Sequence, residues 1–336
     1  MPTPAAYRAD ALRDKTALRT IDDGQRRDAT ALWWSQELEQ QIVSSYKVHY
    51  PELKFAEGRV IPQRQTVPRG KRTGWYKMYG FSGVSKWFTT GSWKDLNLAS
   101  ASGVRKSFDI HEFGVGYGWE LWEVEEAAAT NSPLQALELE AAKRAQAIFL
   151  EENGAFGDIN KGHNGLLNHP NMTVIDAPAG AGTKYRWSTT SGTPKTGLEI
   201  LADIDLIVRS MRAVSRNMAR PNRIWLPPAF WERTNSLFLP NTSQNVRTTL
   251  AGNHPGVVFD ELNQLEAAGN YGGPAILAAM ITSPNDLWHE VPMRDEPHGP
   301  FEDGLYTKFL LRSAAGGVIT PYPMQLLRMD FPPEAS

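Results

Sequence analysis

The stretch from Lys54 to Lys106 carries eleven basic side chains against two acidic ones, inside a chain whose formal charge is −2. That local excess of nine positive charges is interrupted by Gly70, Gly74, Gly80, Gly83 and Gly91 and interleaved with Trp75, Tyr76 and Trp87. A segment so charged cannot be buried, and its glycines favour turns over helix. The spacing predicts an extended hairpin lying largely outside the core. From Asp109 to Glu152 the balance reverses: ten acids face only Lys143 and Arg144. Two complementary halves in one chain constrain how copies of that chain can meet.

Around this pair the organisation reads as α+β. Residues 1–52 form an arm of alternating charge, closed by a helix expected over Ala31–Tyr50. Residues 54–106 are the hairpin region. Residues 107–196 hold a strand at 108–121, with a one-residue slip at His111–Glu112 read as a bulge, and a long helix over 132–153. Ser132 and Pro133 suit that helix's start and Asn153-Gly154 its stop. Its expected apolar stripe is Leu134, Leu137, Ala141, Ala145, Ile148 and Phe149. Residues 197–300 hold a second helix at 198–218, a buried strand at 224–226, a helix near 229–239 and strands at 256–259 and 275–281. Strands around 305–313 and 317–331 lie in the closing segment, 301–336.

Chemistry is hard to find. There are no cysteines among the 336 residues, which removes disulfides, thiol nucleophiles and thiolate metal sites. Asp176–Lys184 resembles a phosphate loop, but Tyr185-Arg186-Trp187 does not open a helix, so a turn is expected. Gly114, Gly116 and Gly118 lie within a strand pattern, not at a strand-to-helix turn. His163 and His169 flank a glycine turn without carboxylate partners, and no metal is expected there. Glu123, Glu125 and Glu126 among tryptophans suggest a carbohydrate-active enzyme with a Trp-lined cleft; a solvated helix start is the plainer reading. The expectation is no catalytic, cofactor or metal site. A sequence pI near 6.4 is too acidic for a protein that coats nucleic acid. No run reaches the roughly 20 apolar residues of a membrane span. Met1–Thr30 has no apolar leader core, so the chain is expected to stay in the compartment where it is made.

Gly165-Leu-Leu-Asn-His-Pro170, placed after the long helix and Gly157-Asp158, resembles a loop phrase common in the Hong Kong 97-type major capsid proteins of tailed phages. The order of parts is similar too: arm, extended hairpin (the E-loop), return strand, spine helix, loop phrase. The helix at 198–218 with the strand and helix at 223–239 resembles that family's axial domain, and Tyr306–Phe331 its returning peripheral strands. The resemblance covers nearly the whole chain. It implies a shell subunit forming pentamers and hexamers around double-stranded DNA, assembled in a bacterial cytoplasm. It also implies a portal, a separate scaffolding protein (no long helical extension precedes the arm) and possible decoration proteins. A protein nanocompartment of the encapsulin kind is the alternative within the same fold.

On this reading Arg69, Lys71, Arg72, Trp75 and Lys77 of one copy meet Glu120, Glu123, Glu125, Glu126, Glu138 and Glu140 of a neighbour. Exposed ion pairs are worth only about 0.2–1 kcal/mol each, so repetition and aromatic burial must supply the rest.

Overall fold

The computed structural model describes residues 50–87, 98–130, 132–181, 184–187 and 194–333. The chain divides into Met1–Glu52 and Leu53–Ser336, and every element below belongs to the second unit. The arm and the helix expected from Ala31 lie outside the described residues, up to residue 49.

Strand β1 (Gln63–Arg64) precedes two ten-residue strands, β2 (Thr73–Ser82) and β3 (Ser100–Asp109). β4 (His111–Glu120) runs into α1 (Leu121–Ala129), followed by the long helix α2 (Leu134–Phe156). Short strands β5 (Gly157–Asp158), β6 (His163–Asn164) and β7 (Thr173–Asp176) come next. Then follow α3 (Gly197–Val214), β8 (Arg223–Leu226), α4 (Pro228–Ser236), α5 (Val246–Asn253), β9 (Val258–Glu261) and β10 (Ala275–Ala279). β11 (Trp288–Glu290), β12 (Met293–Asp303), β13 (Tyr306–Ala315), β14 (Val318–Ile319) and β15 (Leu326–Asp330) complete the set.

The central sheet has the order β7-β15-β10-β8-β9. Its middle strand, β10, is buried at every position, because both faces of the sheet are covered. Ile276 and Ala278 join Ile224, Leu226, Leu327 and Met329 under α3, which contributes Ile200, Ile204, Ile207 and Met211. The alternate residues Ala275, Leu277 and Ala279 join Trp225 and Leu326 on the other face. That face is closed by Phe55, Val60 and Ile61 from the turn before β1, and by Leu166 and Leu167 from the loop phrase. A second sheet, β12-β13-β4, lies against α2.

These contacts revise the expected boundaries. The hairpin is narrower than residues 54–106: Phe55 and Ile61 are fully buried, so the chain before β2 belongs to the body despite its charge. The slip at His111 is not a bulge within one strand. It marks the passage from β3, which pairs with β2, to β4, which pairs with β13. The segments 197–300 and 301–336 also divide differently. β15 joins β7 in the central sheet, whereas β12 begins at Met293 and pairs with β13.

Helix α2 departs from its expected cap, stop and stripe. It starts at Leu134 with Pro133 as N-cap and no side-chain cap bond, and it runs through Asn153-Gly154 to stop at Gly157, φ +66°. Its buried side is Ala142, Gln146, Leu150 and Asn153. Leu137 and Ile148 lie on the opposite side, more than 40% exposed. Gln146 reaches the core because its amide is fully used: Nε2 donates to the Leu311 carbonyl, and Oε1 accepts from Ser313 Oγ. Such pairing removes the desolvation cost that would otherwise keep it outside.

Candidate functional site

β2 and β3 form a two-stranded ribbon in unbroken antiparallel register from Thr73↔Asp109 to Ser82↔Ser100. Paired residues share a face. Trp75, Lys77, Tyr79 and Phe81 therefore stand with Arg105 and Ser107, and Tyr76, Met78, Val104 and Lys106 stand on the other side. Among the described residues the first face has little to pack on: Tyr79 is 65% exposed and Phe81 86%. Arg105 and Lys77 lie over the Trp75 ring at 4.8 and 5.6 Å. The second face overhangs a cleft of about 250 Å³ lined by Tyr76, Met78, Lys106, His169, Asn171 and Thr320. Partial burial there raises the Tyr76 phenol above its ordinary pKa. An isolated two-stranded ribbon is marginal in water, so its geometry must come from its footing.

Glu290 supplies much of that footing. It is fully buried, and its carboxylate accepts from the Thr66 and Val67 amides at 2.7 and 3.0 Å, from Thr66 Oγ1 and from Trp288 Nε1. Four donors on one buried acid fix the chain just before the ribbon. Arg69 pairs with Glu296 at 2.8 Å, and the Ile110 amide donates to the Arg72 carbonyl at 2.7 Å.

The expected contact residues therefore separate. Arg69 is spent within its own chain, on an acid outside the 109–152 block. Lys71 and Arg72 are exposed and form no ion pair among the described residues, and Lys77 lies over Trp75. Of the acids, Glu120 caps α1 reciprocally with Glu123, whose carboxylate accepts from the Glu120 amide at 2.9 Å. Glu125, Glu126 and Glu140 are exposed on α1 and α2, and Glu138 is half-buried. Glu123, Glu125 and Glu126 occupy one exposed helix start, which is not the opposed pair a glycosidase needs.

The loop phrase has a structural job. Helix α2 ends with carbonyls that lack a partner in the helix. The Leu166 and Leu167 amides donate to the Gly154 and Ala155 carbonyls at 2.9 Å, and Asn168 Nδ2 donates to the Phe156 carbonyl. Asn168 Oδ1 accepts from the Gly165 amide at 3.0 Å. A Cβ on Gly165 would lie 2.3 Å from the Phe156 carbonyl carbon, so only glycine lets the loop close on the helix. Leu166 and Leu167 then drop into the central core.

His163 is not in a surface loop but buried in β6, beside His111 with ring centroids 5.1 Å apart. The Asn153 amide bridges two histidines: Nδ2 faces His163 Nδ1, and Oδ1 accepts from His289 Nε2, each at 3.2 Å. Burial lowers the pKa of His163, and takes that of fully buried His289 to about 4, with His163 and Arg294 adding to the effect. His169 is also lowered by burial. No group of acids and histidines able to hold a metal occurs among the described residues. The phosphate-loop look-alike closes on an acid: Glu199 accepts from the Ala181 amide at 2.6 Å, filling the start of α3 where an anion would sit. That amide, and the one of Thr196, hold Glu199 below the usual carboxylate range.

Three buried ionisable residues escaped sequence reasoning. Lys195 and Asp203 pair at 2.7 Å with 1% exposure each, and Trp187 Nε1 donates to the same carboxylate. Glu151 accepts from the Phe55 and Ala56 amides. An acid eight positions after a lysine gives no periodic signal, and Glu151 reads as the solvated end of a helix.

Among the described residues, then, the body carries an anchored ribbon whose aromatic face stays exposed. The major capsid protein family model matches residues 83–331, and the chain belongs to that family. It is a structural protein of the capsid shell, not an enzyme. Solved structures agree in fold. The capsid of Myoviridae phage XM1 matches with a TM-score of 0.72 at 14% identity, over 91% of this chain and 99% of that one. A gene transfer agent capsid gives 0.60 at 11% identity, covering 92% and 100%. The chain from Gordonia phage Cozz gives 0.56 at 12%, covering 93% and 98%. No curated protein sequence matches.

Proposed function

We propose that this chain builds an icosahedral shell of pentamers and hexamers, of the Hong Kong 97 type, around phage double-stranded DNA, each copy laying its ribbon on its neighbours. The observation that carries the reading is the ribbon's outer face: Trp75, Tyr79 and Phe81 stay solvent-exposed on strands held by a buried, fully bonded acid. A monomer gains nothing from that arrangement. Between copies the aromatics supply burial, while Lys71, Arg72, Lys77 and Arg105 find the acids of α1 and α2, Glu125, Glu126 and Glu140 among them. A contact that joins unlike surfaces propagates from copy to copy, as a lattice requires. Assembly in the host cytoplasm with a portal and a separate scaffold, and with any decoration protein outside, fits the same subunit.

The test reverses Lys71, Arg72 and Lys77 to Glu and leaves Arg69, which belongs to the subunit's own fold. Electron microscopy should show soluble, folded subunits and no closed particles. Normal particles from the triple variant would refute the ribbon contact.

A further inference from the structure

Between Leu206 and Trp231 the chain carries five arginines and no lysine or acid. The fold collects them around one end of α3. Arg209 and Arg212 lie in its last turns, Arg216 in the turn that leaves it, and Arg220 and Arg223 on the path into β8. All five are exposed.

The turn itself is held firmly. Ser215 Oγ accepts from the Ala219 amide at 2.9 Å, and the Asn217 amide donates to the Arg212 carbonyl at 2.7 Å. Arg216 and Asn217 are consecutive non-glycine residues at φ +51° and +64°, a conformation side chains other than glycine rarely adopt. The guanidinium bonds that exist go to neutral oxygens: Arg209 to the Asp205 carbonyl, Arg212 to Asn217 Oδ1, and Arg223 to the Arg59 carbonyl. None of the five has an ion pair among the described residues, and the Asp205 carboxylate beside them is engaged by His254 at 2.9 Å. The negative end of a helix explains a cation in its last turn, which covers Arg212 but not the three arginines beyond the helix.

We propose that this arginine patch binds nucleic-acid phosphates and is the surface by which the subunit holds the duplex it encloses. The proposal rests on the shell reading and narrows it to named residues. Guanidinium groups grip phosphate oxygens in pairs. Arg209 and Arg212 lie about 5 Å apart along the helix axis, and Arg216 extends the patch into the turn, enough to face several phosphates of a duplex. With no built pocket to read base edges, binding is independent of base sequence.

The test measures binding of a short mixed-sequence DNA duplex to the full-length chain as salt rises from about 50 to 200 mM. R209Q/R212Q/R216Q should flatten the log–log salt dependence by about 2.7, so that its affinity falls roughly 40-fold less than wild type across that range. Replacing the same three arginines with lysine should restore most of the slope. An unchanged slope in the Gln variant overturns the proposal. So does a variant that binds DNA normally yet fails to assemble, which would make the patch a protein–protein contact. Particle imaging of the wild type is scored separately: absence of shells there removes the shell reading, whatever the salt slopes show.

Discussion

The molecule has two long antiparallel hairpins, β2–β3 and β12–β13, of nearly equal strand length, and they have opposite fates. β13 pairs with β12 on one edge and β4 on the other, with α2 laid across it, and its last three residues are buried. β3 pairs only with β2 among the described strands, and nine of its ten positions are exposed, all but Phe108. Strand pairing alone therefore does not decide burial. A third strand and a covering helix do, and among the described residues the hairpin rich in Trp, Tyr and Phe has neither. Composition follows suit: β13 brings Phe309, Leu310 and Leu311 to its interior, whereas β2 alternates aromatic residues with Lys77 and glycine.

The sharpest way to break this contrast is a matched pair of truncations. Leu311→Ala, at a fully buried position of β13, should cost about 2–5 kcal/mol in urea denaturation of the soluble subunit. Tyr79→Ala on the ribbon should leave that midpoint nearly unmoved yet prevent particle formation. Equal destabilisation by both would mean that the ribbon packs on its own body.

Acid tests the joint from which both hairpins spring. His289 sits in β11, just before β12, and His111 follows β3. Unfolded, His289 takes up a proton near 6.5; folded, only near 4. The unfolded chain thus binds more protons between those values, so stability falls as pH drops from about 6.5 to about 4 and levels off below. The loss is on the order of 3 kcal/mol, with His163 and His169 adding to it in the same direction. His289→Gln should flatten the profile of midpoint against pH. A profile as steep as wild type would show that this joint is not the acid-sensitive point.

The smallest effect concerns the end of α2, the helix that lies on the sheet of the covered hairpin. Asn168→Ala removes one bond to the end of α2 and one within the loop, and should cost about 1 kcal/mol. Hydrogen exchange should quicken at the Leu166 and Leu167 amides and stay unchanged along β2 and β3. Faster exchange on the ribbon would couple the two hairpins.

The fold class and the succession of hairpin, strand and long helix were legible because the charge reversal near residue 108 and the loop phrase are local signals. Helix α2 shows where legibility stops. Its apolar periodicity at Leu137, Ala141, Ala145 and Ile148 is real but faces away from the core, and the inward row includes Gln146 and Asn153, which no hydrophobic pattern reports. Phe55, Val60 and Ile61 were hidden by the charges around them. β12 was hidden by its own composition, since Arg294, Asp295, Glu296 and Pro297 read as loop until β13 supplies their partner. Among the proposed contacts, Arg69 pairs with Glu296, a residue 227 positions away, beyond the reach of local charge patterning. The arginine run at 209–223 was in plain view but scattered across a helix end, a turn and a strand.

One further consequence comes from β1. It pairs in parallel with β11, Gln63 opposite His289 and Arg64 opposite Glu290, so a segment made early is held by one made late. During synthesis the ribbon emerges long before the acid that sets its angle, and a closure over so great a sequence separation forms slowly. A growing chain thus has no fixed ribbon until most of its length exists, because Glu290 must be in place before the segment at Thr66 and Val67 is held.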